Sequence, residues 1–202
     1  MALENKLGIT DPAELMRAEE KLSKKKAVWL YESGFLGRLS PGTFKSLSEI
    51  HRVLFEDIYD FAGKVRSVDM AKGSFRFASV IYLGAALESI EKMPQSSFDE
   101  IIEKYVEMNI AHPFREGNGR SGRIWLDHML RAELGAAIDW SRVGKEDYLF
   151  AMERSPVRDT EIKHILKAAL TSEPDSRELY MKGIDAGYSY EGFELFKASE
   201  LK

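Results

Sequence analysis

The sequence predicts an all-α domain, a helical bundle that carries one β-hairpin. Apolar residues recur at spacings of three and four along several segments, which indicates helices with one buried face. Proline and glycine separate these segments, and only one short stretch alternates apolar with polar residues. The 202 residues are 44% hydrophobic, and no glycine- or proline-rich linker divides them. We therefore expect a single domain over residues 1–202.

The N-terminal half is predicted to hold three helices and the hairpin. Thr10-Asp11-Pro12 is typical of a helix start, because proline is favoured at the first helical position, and Gly34 is a natural stop. A second helix is expected over 41–59. The hairpin follows, with Lys72-Gly73 as its turn and Phe75 and Phe77 alternating with polar neighbours. A third helix is expected over 83–93.

The C-terminal half is predicted to be helical throughout. Pro113 disfavours helical backbone at His112, so one helix is expected to end there, and Gly135 is expected to end the next. Further helices are expected over 145–153, over 160–170 and from about residue 173 toward Glu191.

A nine-residue run between two of these helices, His112 to Arg120, contains most of the candidate chemistry. Gly117 and Gly119 allow positive φ, which points successive N–H groups at one anion. The start of the following helix adds partial positive charge. Arg120 and Arg123 share one helix face and can both reach phosphate oxygens. The run therefore predicts a phosphate-binding loop, with a simple helix-capping turn as the alternative.

Three other polar side chains in this run could act on a bound phosphate. Glu116 offers the hard oxygen ligand that Mg²⁺ prefers. His112 titrates near neutral pH and can accept a proton from an attacking hydroxyl. Asn118 can donate a hydrogen bond to a phosphate oxygen in the transition state.

The run resembles the signature loop of the Fic family, His-Pro-Phe-x-(Asp/Glu)-Gly-Asn-Gly-Arg, at every defined position. The resemblance implies the Fic fold and an enzyme that transfers AMP from ATP to a Ser, Thr or Tyr hydroxyl of a target protein. It implies His112 as the base, Glu116 as the Mg²⁺ ligand, and an ATP phosphate site formed by Gly117, Asn118, Gly119, Arg120 and Arg123. Two alternatives are a non-catalytic nucleotide-sensing module and a relative that transfers another phosphate-containing group. The family's kinase-like branch carries lysine at position 119, so Gly119 favours AMP transfer.

A second segment is similar to the β-hairpin flap of Fic proteins. It comprises residues 61–66 and the following residues 72–78. In the family the flap lies over the active site and holds the target segment by main-chain pairing, as exposed strand edges can. The expected target-docking residues are Lys72, Gly73, Ser74, Phe75, Arg76 and Phe77. An ordinary hairpin that covers the core is the alternative.

The tail is similar to the inhibitory motif of the single-domain Fic class, (Ser/Thr)-x-x-x-Glu-(Gly/Asn), which lies in a C-terminal helix, here expected near 184–196. The resemblance implies that Glu191 pairs with Arg123 in place of the γ-phosphate, or positions water for AMP removal. It makes Tyr188 a possible automodification site. Gly187 departs from the motif; if the family's hydroxyl caps this helix, glycine costs only a few tenths of a kcal/mol. A solvated Glu191 is the alternative.

Composition excludes several classes of protein. A net charge of −4 argues against general nucleic-acid binding. No apolar run approaches the ~20 residues needed to span a bilayer, and the first ten residues lack a signal-peptide core. The absence of cysteine fits the reducing cytoplasm of a bacterium. The four histidines show no metal-ligand spacing. Besides ATP and a target protein, the expected partners include a possible second copy of the chain.

Overall fold

Eight α-helices make up most of the residues described by the computed structural model, which are 2–73 and 75–201. The expected flap residue Ser74 lies outside the described residues. The helices are α1 (Pro12–Glu32), α2 (Phe44–Phe55), α3 (Val80–Glu91), α4 (Phe98–Ala111), α5 (Asn118–Leu134), α6 (Lys145–Arg154), α7 (Thr160–Ala168) and α8 (Arg177–Ser189). The predicted all-α fold class is confirmed.

Four of the helices begin at a side chain that caps the first turn. The side chains of Asp11, Thr43, Ser97 and Ser176 each accept a hydrogen bond from the backbone N–H three residues further on. Such caps satisfy N–H groups that have no partner inside the helix. At α4 the Glu100 side chain also accepts from the Ser97 N–H and completes a capping box.

Two small antiparallel sheets of two strands each complete the fold. Strands β1 (Ala71–Lys72) and β2 (Phe75–Arg76) form the hairpin expected at Lys72-Gly73. Strands β3 (Ala137–Ile138) and β4 (Leu170–Thr171) form a second sheet that the sequence did not predict. The strands β3 and β4 have only two residues each, so the sequence shows no alternation of apolar and polar residues that would predict them. The helix expected over 160–170 ends at Ala168, because Leu170 belongs to β4.

Helix α5 lies at the centre of the bundle. It packs against α2, α4 and α8, and α1 packs against α2 and α8. Trp125 on α5 is fully buried, and its indole N–H donates to the Thr43 carbonyl and the Ser46 hydroxyl at 3.1 and 3.0 Å. This packing brings the N-terminus of α5 close to α1, α2 and the end of α8. Within the described residues, no helix is both long and apolar enough to cross a bilayer.

The final helix differs from the range expected from the sequence. It covers Arg177–Ser189 rather than 184–196, so Glu191 lies in the turn after the helix. Gly192 adopts a φ of +86°, and the Phe193 N–H donates to the Tyr188 carbonyl at 3.1 Å. A residue in this left-handed region closes a helix, which explains why the chain turns there.

Candidate active site

His112 lies where α4 ends and the chain turns into the signature run. Its backbone φ is +49°, the only positive φ of a non-glycine residue within 2–73 and 75–201. Its N–H still donates to the Met108 carbonyl at 3.0 Å. The helix end that Pro113 predicts at His112 is confirmed, because α4 ends at Ala111 and His112 caps it. Left-handed backbone in a non-glycine residue costs about 1–3 kcal/mol and persists where surrounding contacts hold it.

Asn118 closes the loop by binding the backbone of Phe114. Its Oδ1 accepts from the Phe114 N–H at 2.8 Å, and its Nδ2 donates to the Phe114 carbonyl at 2.7 Å. Phe114 is buried, so its backbone polar groups need partners inside the protein. The Asn118 side chain therefore shapes the loop, and its expected role as a phosphate donor, which the second N–H of Nδ2 would serve, stays a prediction.

His51 on α2 supports the signature loop through both nitrogens of its ring. Its Nδ1 accepts from the Gly63 N–H at 2.9 Å, so Nε2 carries the proton and donates to the Glu116 carbonyl at 2.8 Å. Its ring stacks on Phe114 with centroids 3.8 Å apart. Burial lowers the pKa of His51 to about 4, and the charge of Arg120 adds to this effect. His51 is therefore a neutral structural histidine.

The two glycines of the loop serve different purposes. Gly117 has a φ of +76° at the cap of α5, as expected. Gly119 is helical, so the expectation of positive φ there is wrong. Glycine is needed at 119 for space, because a Cβ there would lie 2.4 Å from Glu191 Oε1 and 2.9 Å from Arg123 Nη1. The Glu191 carboxylate thus lies against the first turn of α5, where helix N-termini bind anions.

Glu191 bridges Arg120 and Arg123, which lie one turn apart on α5. Its Oε1 is 2.7 Å from Arg123 Nη2, the pair implied by the family resemblance. Its Oε2 is 2.8 Å from Arg120 Nε, a contact that the sequence did not predict. Burial favours the neutral acid, but Arg120 and Arg123 outweigh it and hold the pKa of Glu191 below its usual range. The carboxylate is therefore ionised and takes the place of an anion.

Arg120 is fully buried, and each of its guanidinium nitrogens faces a carboxylate. Besides Glu191, its Nη1 lies 2.6 Å from Glu19 and its Nη2 lies 3.0 Å from Glu116. The Tyr59 hydroxyl donates to the other oxygen of Glu19. A buried charge requires such pairing. Sequence reasoning missed Glu19, because α1 is distant from the loop along the chain.

Glu116 retains one carboxylate oxygen for a ligand. Its Oε1 accepts from the Gly117 N–H at 2.9 Å and pairs with Arg120. Its Oε2 has no hydrogen-bond partner among the described residues, and the side chain is 45% exposed. One free carboxylate oxygen suits Mg²⁺, which is commonly bound by one or two carboxylates plus phosphates and water. The described residues contain no cluster of three metal-ligand side chains, so phosphates and water would complete the shell.

The flap lies over the imidazole of His112. Phe77, just after β2, stacks on this ring with centroids 3.7 Å apart and planes tilted by 15°. Phe75 packs edge-on against Phe77, while Lys72 and Arg76 are exposed. Burial lowers the pKa of His112 to about 4, and Arg66 adds to this effect, so the expectation that His112 titrates near neutral pH is wrong. The imidazole is therefore neutral and able to accept a proton.

The tail residues of the inhibitory motif are packed into the protein. Tyr188 is 1% exposed, so it is not accessible for modification in this conformation. Gly187 lies inside α8, which is capped by Ser176, so the expected capping role of position 187 is wrong. The Gly187 carbonyl accepts from Arg123 Nη2 at 2.6 Å, and a Cβ at 187 would lie 2.8 Å from Arg123 Nε. Glycine allows this close approach.

Comparison with known proteins connects this site to one family. Residues 41–130 match the Fic/DOC family. The chain is 32% identical over 154 residues to protein adenylyltransferase VbhT of Bartonella schoenbuchensis, an alignment that covers 71% of this chain and 31% of that protein. It is 30% identical over 168 residues to the probable protein adenylyltransferase Fic of Salmonella typhimurium, covering 78% and 81%. The chain thus spans about a third of the first relative and most of the second.

A solved structure shares the fold. The BepC protein of Bartonella tribocorum, crystallised with bound AMPPNP, superimposes with a TM-score of 0.71 at 22% identity. The alignment covers 85% of this chain and 93% of that one. This similarity supports the helical architecture described above.

Proposed function

The chain belongs to the Fic/DOC family, and we propose that it is a protein adenylyltransferase that transfers AMP from ATP to a Ser, Thr or Tyr hydroxyl of a target protein. The observation that carries the proposal is the anion site at the start of α5. There the Glu191 carboxylate lies against Gly119 and between Arg120 and Arg123. Relatives named protein adenylyltransferase support the same activity.

The reaction exchanges one phosphorus–oxygen bond for another. The target hydroxyl oxygen bonds to the α-phosphorus of ATP, the bond from that phosphorus to the bridging oxygen of the β-phosphate breaks, and pyrophosphate leaves. The neutral imidazole of His112 accepts the hydroxyl proton. Positioning and charge stabilisation supply most of the rate in phosphoryl-type transfer. The N–H groups of Asn118 and Gly119 and the guanidinium groups of Arg120 and Arg123 are proposed to hold the phosphates. Gly117, which was also expected to bind phosphate, donates its N–H to Glu116 Oε1 at 2.9 Å instead.

Glu116 is the residue proposed to hold Mg²⁺, through the carboxylate oxygen that has no partner among the described residues. Held there, the cation would neutralise negative charge on the phosphates of ATP. Arg120 supports Glu116 by pairing with its other oxygen at 3.0 Å, which fixes the direction of the free oxygen.

Glu191 is proposed to inhibit the enzyme in its resting state. It pairs with Arg123 at 2.7 Å, and a γ-phosphate would need the same guanidinium. ATP could then bind, but its triphosphate could not adopt the reactive arrangement. The ion pairs of Glu191 are with Arg120 and Arg123, so inhibition is proposed to act on the phosphates rather than on the base or the metal ligand.

The flap is proposed to hold the target. Lys72 and Arg76 are exposed on its two strands, and Phe77 places the hairpin beside His112. A target segment that adds to the strand edge would be held by backbone hydrogen bonds. The enzyme is proposed to act in the cytoplasm, where ATP is available.

Labelled ATP distinguishes this function from the alternatives. The Glu191→Gly chain is incubated with Mg²⁺ and ATP labelled at either the α- or the γ-phosphate, and protein-bound label is measured. The proposal expects label from the α-phosphate only, and none when His112→Ala is added. Label from the γ-phosphate only would indicate a kinase-like relative. ATP binding without any transfer would indicate a nucleotide-sensing module.

A further inference from the structure

Arg66, at the base of the flap, uses its guanidinium to bind backbone carbonyls. It is 5% exposed. Its Nε donates to the His112 carbonyl at 2.8 Å and its Nη2 to the Ala111 carbonyl at 3.2 Å. Its Nη1 donates to the Val68 carbonyl at 2.6 Å, and Nη2 also donates to the Ala78 carbonyl. No carboxylate of the described residues forms an ion pair with it.

This arrangement satisfies the C-terminal end of α4. The last carbonyls of a helix lack partners inside it and carry partial negative charge, which a cation stabilises. Arg66 supplies that cation, and its own N–H donates to the Pro113 carbonyl at 2.8 Å. The Ala78 N–H donates to the Ile110 carbonyl at 3.1 Å. The flap base therefore completes the end of the helix that carries His112.

The same contacts fix the backbone on both sides of His112. The Ala111 carbonyl belongs to the peptide plane before His112, and the His112 carbonyl belongs to the plane after it. Arg66 binds both carbonyls, and the His112 N–H is held by Met108. Two fixed peptide planes determine φ and ψ of the residue between them. They hold His112 at its φ of +49°, a conformation that persists only where its surroundings impose it.

Arg66 also connects His112 to the flap. Val68 and Ala78 stand on either side of the β1–β2 hairpin, and Arg66 binds the carbonyl of each. Phe77, next to Ala78, stacks on the His112 ring. One guanidinium therefore holds the backbone of His112 and both ends of the flap that covers its side chain.

We propose that Arg66 is a positioning residue for the transfer reaction: it holds His112 in its left-handed conformation and keeps its imidazole aligned beneath the flap. The proposal rests on the proposed role of His112 as the base. Lysine would keep the positive charge at the end of α4 but lacks the planar fork that binds several carbonyls in fixed directions. Arg66→Lys therefore separates positioning from charge alone.

The first test measures AMP transfer in the Glu191→Gly background with added Arg66→Lys. We expect kcat to fall by at least about tenfold, on the scale of a misplaced catalytic group, with the KM for MgATP little changed. The control is Arg38→Lys, because Arg38 is exposed and has no side-chain bond among the described residues. A kcat equal to that of the control would overturn the proposal.

The second test does not depend on AMP transfer by the protein. The chain, with histidines labelled by ¹³C and ¹⁵N, is studied by NMR as wild type, Arg66→Lys and Arg66→Gln. We expect both variants to move the His112 Cα shift away from its left-handed value and to change its imidazole titration. His51, His128 and His164 should retain their wild-type signals, which shows that the fold is intact. An unchanged His112 would overturn the proposal.

Loss of all four native histidine signals in both variants would show that Arg66 is needed for folding in general. That result would also overturn the proposal. If the Glu191→Gly parent transfers no AMP, the proposed function fails, and the NMR result alone decides the role of Arg66. The two failures are therefore distinguishable.

Discussion

Glu191 Oε1 lies 2.7 Å from Nη2 of Arg123, and this ion pair joins the tail of the chain to the second turn of α5. The Arg123 side chain is 7% exposed and that of Glu191 is 26% exposed. Because the pair is largely shielded from water, its electrostatic attraction is stronger than that of a surface pair. The tail therefore fills the anion site unless a competing anion, such as a triphosphate, displaces it.

Gly187→Ser should weaken the inhibitory contact. A Cβ at 187 would lie 2.8 Å from Arg123 Nε, so the guanidinium must move and its distance to Glu191 must change. We expect faster automodification than in wild type, measured with ATP labelled at the α-phosphate. The control is Gly84→Ala on exposed α3, where nothing lies within 4 Å of the added Cβ. This control should stabilise the fold by about 1 kcal/mol and leave the rate unchanged. A Gly187→Ser rate at or below wild type would contradict the prediction.

Asn118→Ala should loosen the signature loop. It removes both hydrogen bonds to the buried backbone of Phe114. We expect the free energy of unfolding in urea to fall by about 1–3 kcal/mol, the cost of leaving buried groups unpaired. Asn118→Asp keeps the acceptor but sets a carboxylate oxygen against the Phe114 carbonyl, so its loss should be at least as large. Equal stability of wild type and Asn118→Ala would show that these bonds contribute little.

Acidification should destabilise the fold through its buried histidines. Burial lowers the pKa of both His51 and His112 to about 4, whereas the unfolded chain titrates near 6.5. The unfolded state therefore binds more protons between these values, and stability falls as the pH falls from about 6.5 to about 4. Each such histidine contributes about 1.4 kcal/mol per pH unit within that window.

His51→Gln is the variant that tests this dependence. Urea unfolding is measured at several pH values for wild type and His51→Gln. The variant should show a shallower fall in stability over this window, because one of the buried histidines whose pKa is lowered has been removed. An identical slope would mean that His51 is already charged in the folded protein, in conflict with the hydrogen bond that its Nδ1 accepts from Gly63.

Glu116→Gln should raise the Mg²⁺ concentration needed for AMP transfer. Glutamine can still accept from the Gly117 N–H, but it removes the negative charge that a hard cation requires. Transfer is titrated with Mg²⁺ in the Glu191→Gly background, and Glu107→Gln on the exposed side of α4 is the control. Coincident Mg²⁺ curves for Glu116→Gln and the control would exclude Glu116 as a metal ligand.

The sequence predicted the parts of the site that depend on local pattern. The end of α4 at His112, the hairpin at Lys72-Gly73 and the start of α5 within the loop each follow from a few adjacent residues. Proline, glycine and capping side chains act on their immediate neighbours, so their effects can be read without tertiary structure.

Contacts between distant segments could not be predicted. Glu19 reaches Arg120 from α1, and His51 reaches the Glu116 carbonyl from α2. Neither contact follows from spacing along the chain, because packing of the bundle brings these groups together. The sequence predicts a need for backbone freedom at Gly119. The structure shows instead that a side chain there would collide with Glu191, and this depends on where the tail folds.

The most direct test of the inhibited transferase is the automodification rate of wild type and Glu191→Gly at matched concentrations of protein and Mg²⁺. The two proteins are incubated with ATP labelled at the α-phosphate over a series of protein concentrations, since self-association that holds the tail would make the rate depend on concentration. We predict that Glu191→Gly incorporates label faster at every concentration and that adding His112→Ala abolishes incorporation. An unchanged or lower rate in Glu191→Gly would show that Glu191 does not restrain AMP transfer.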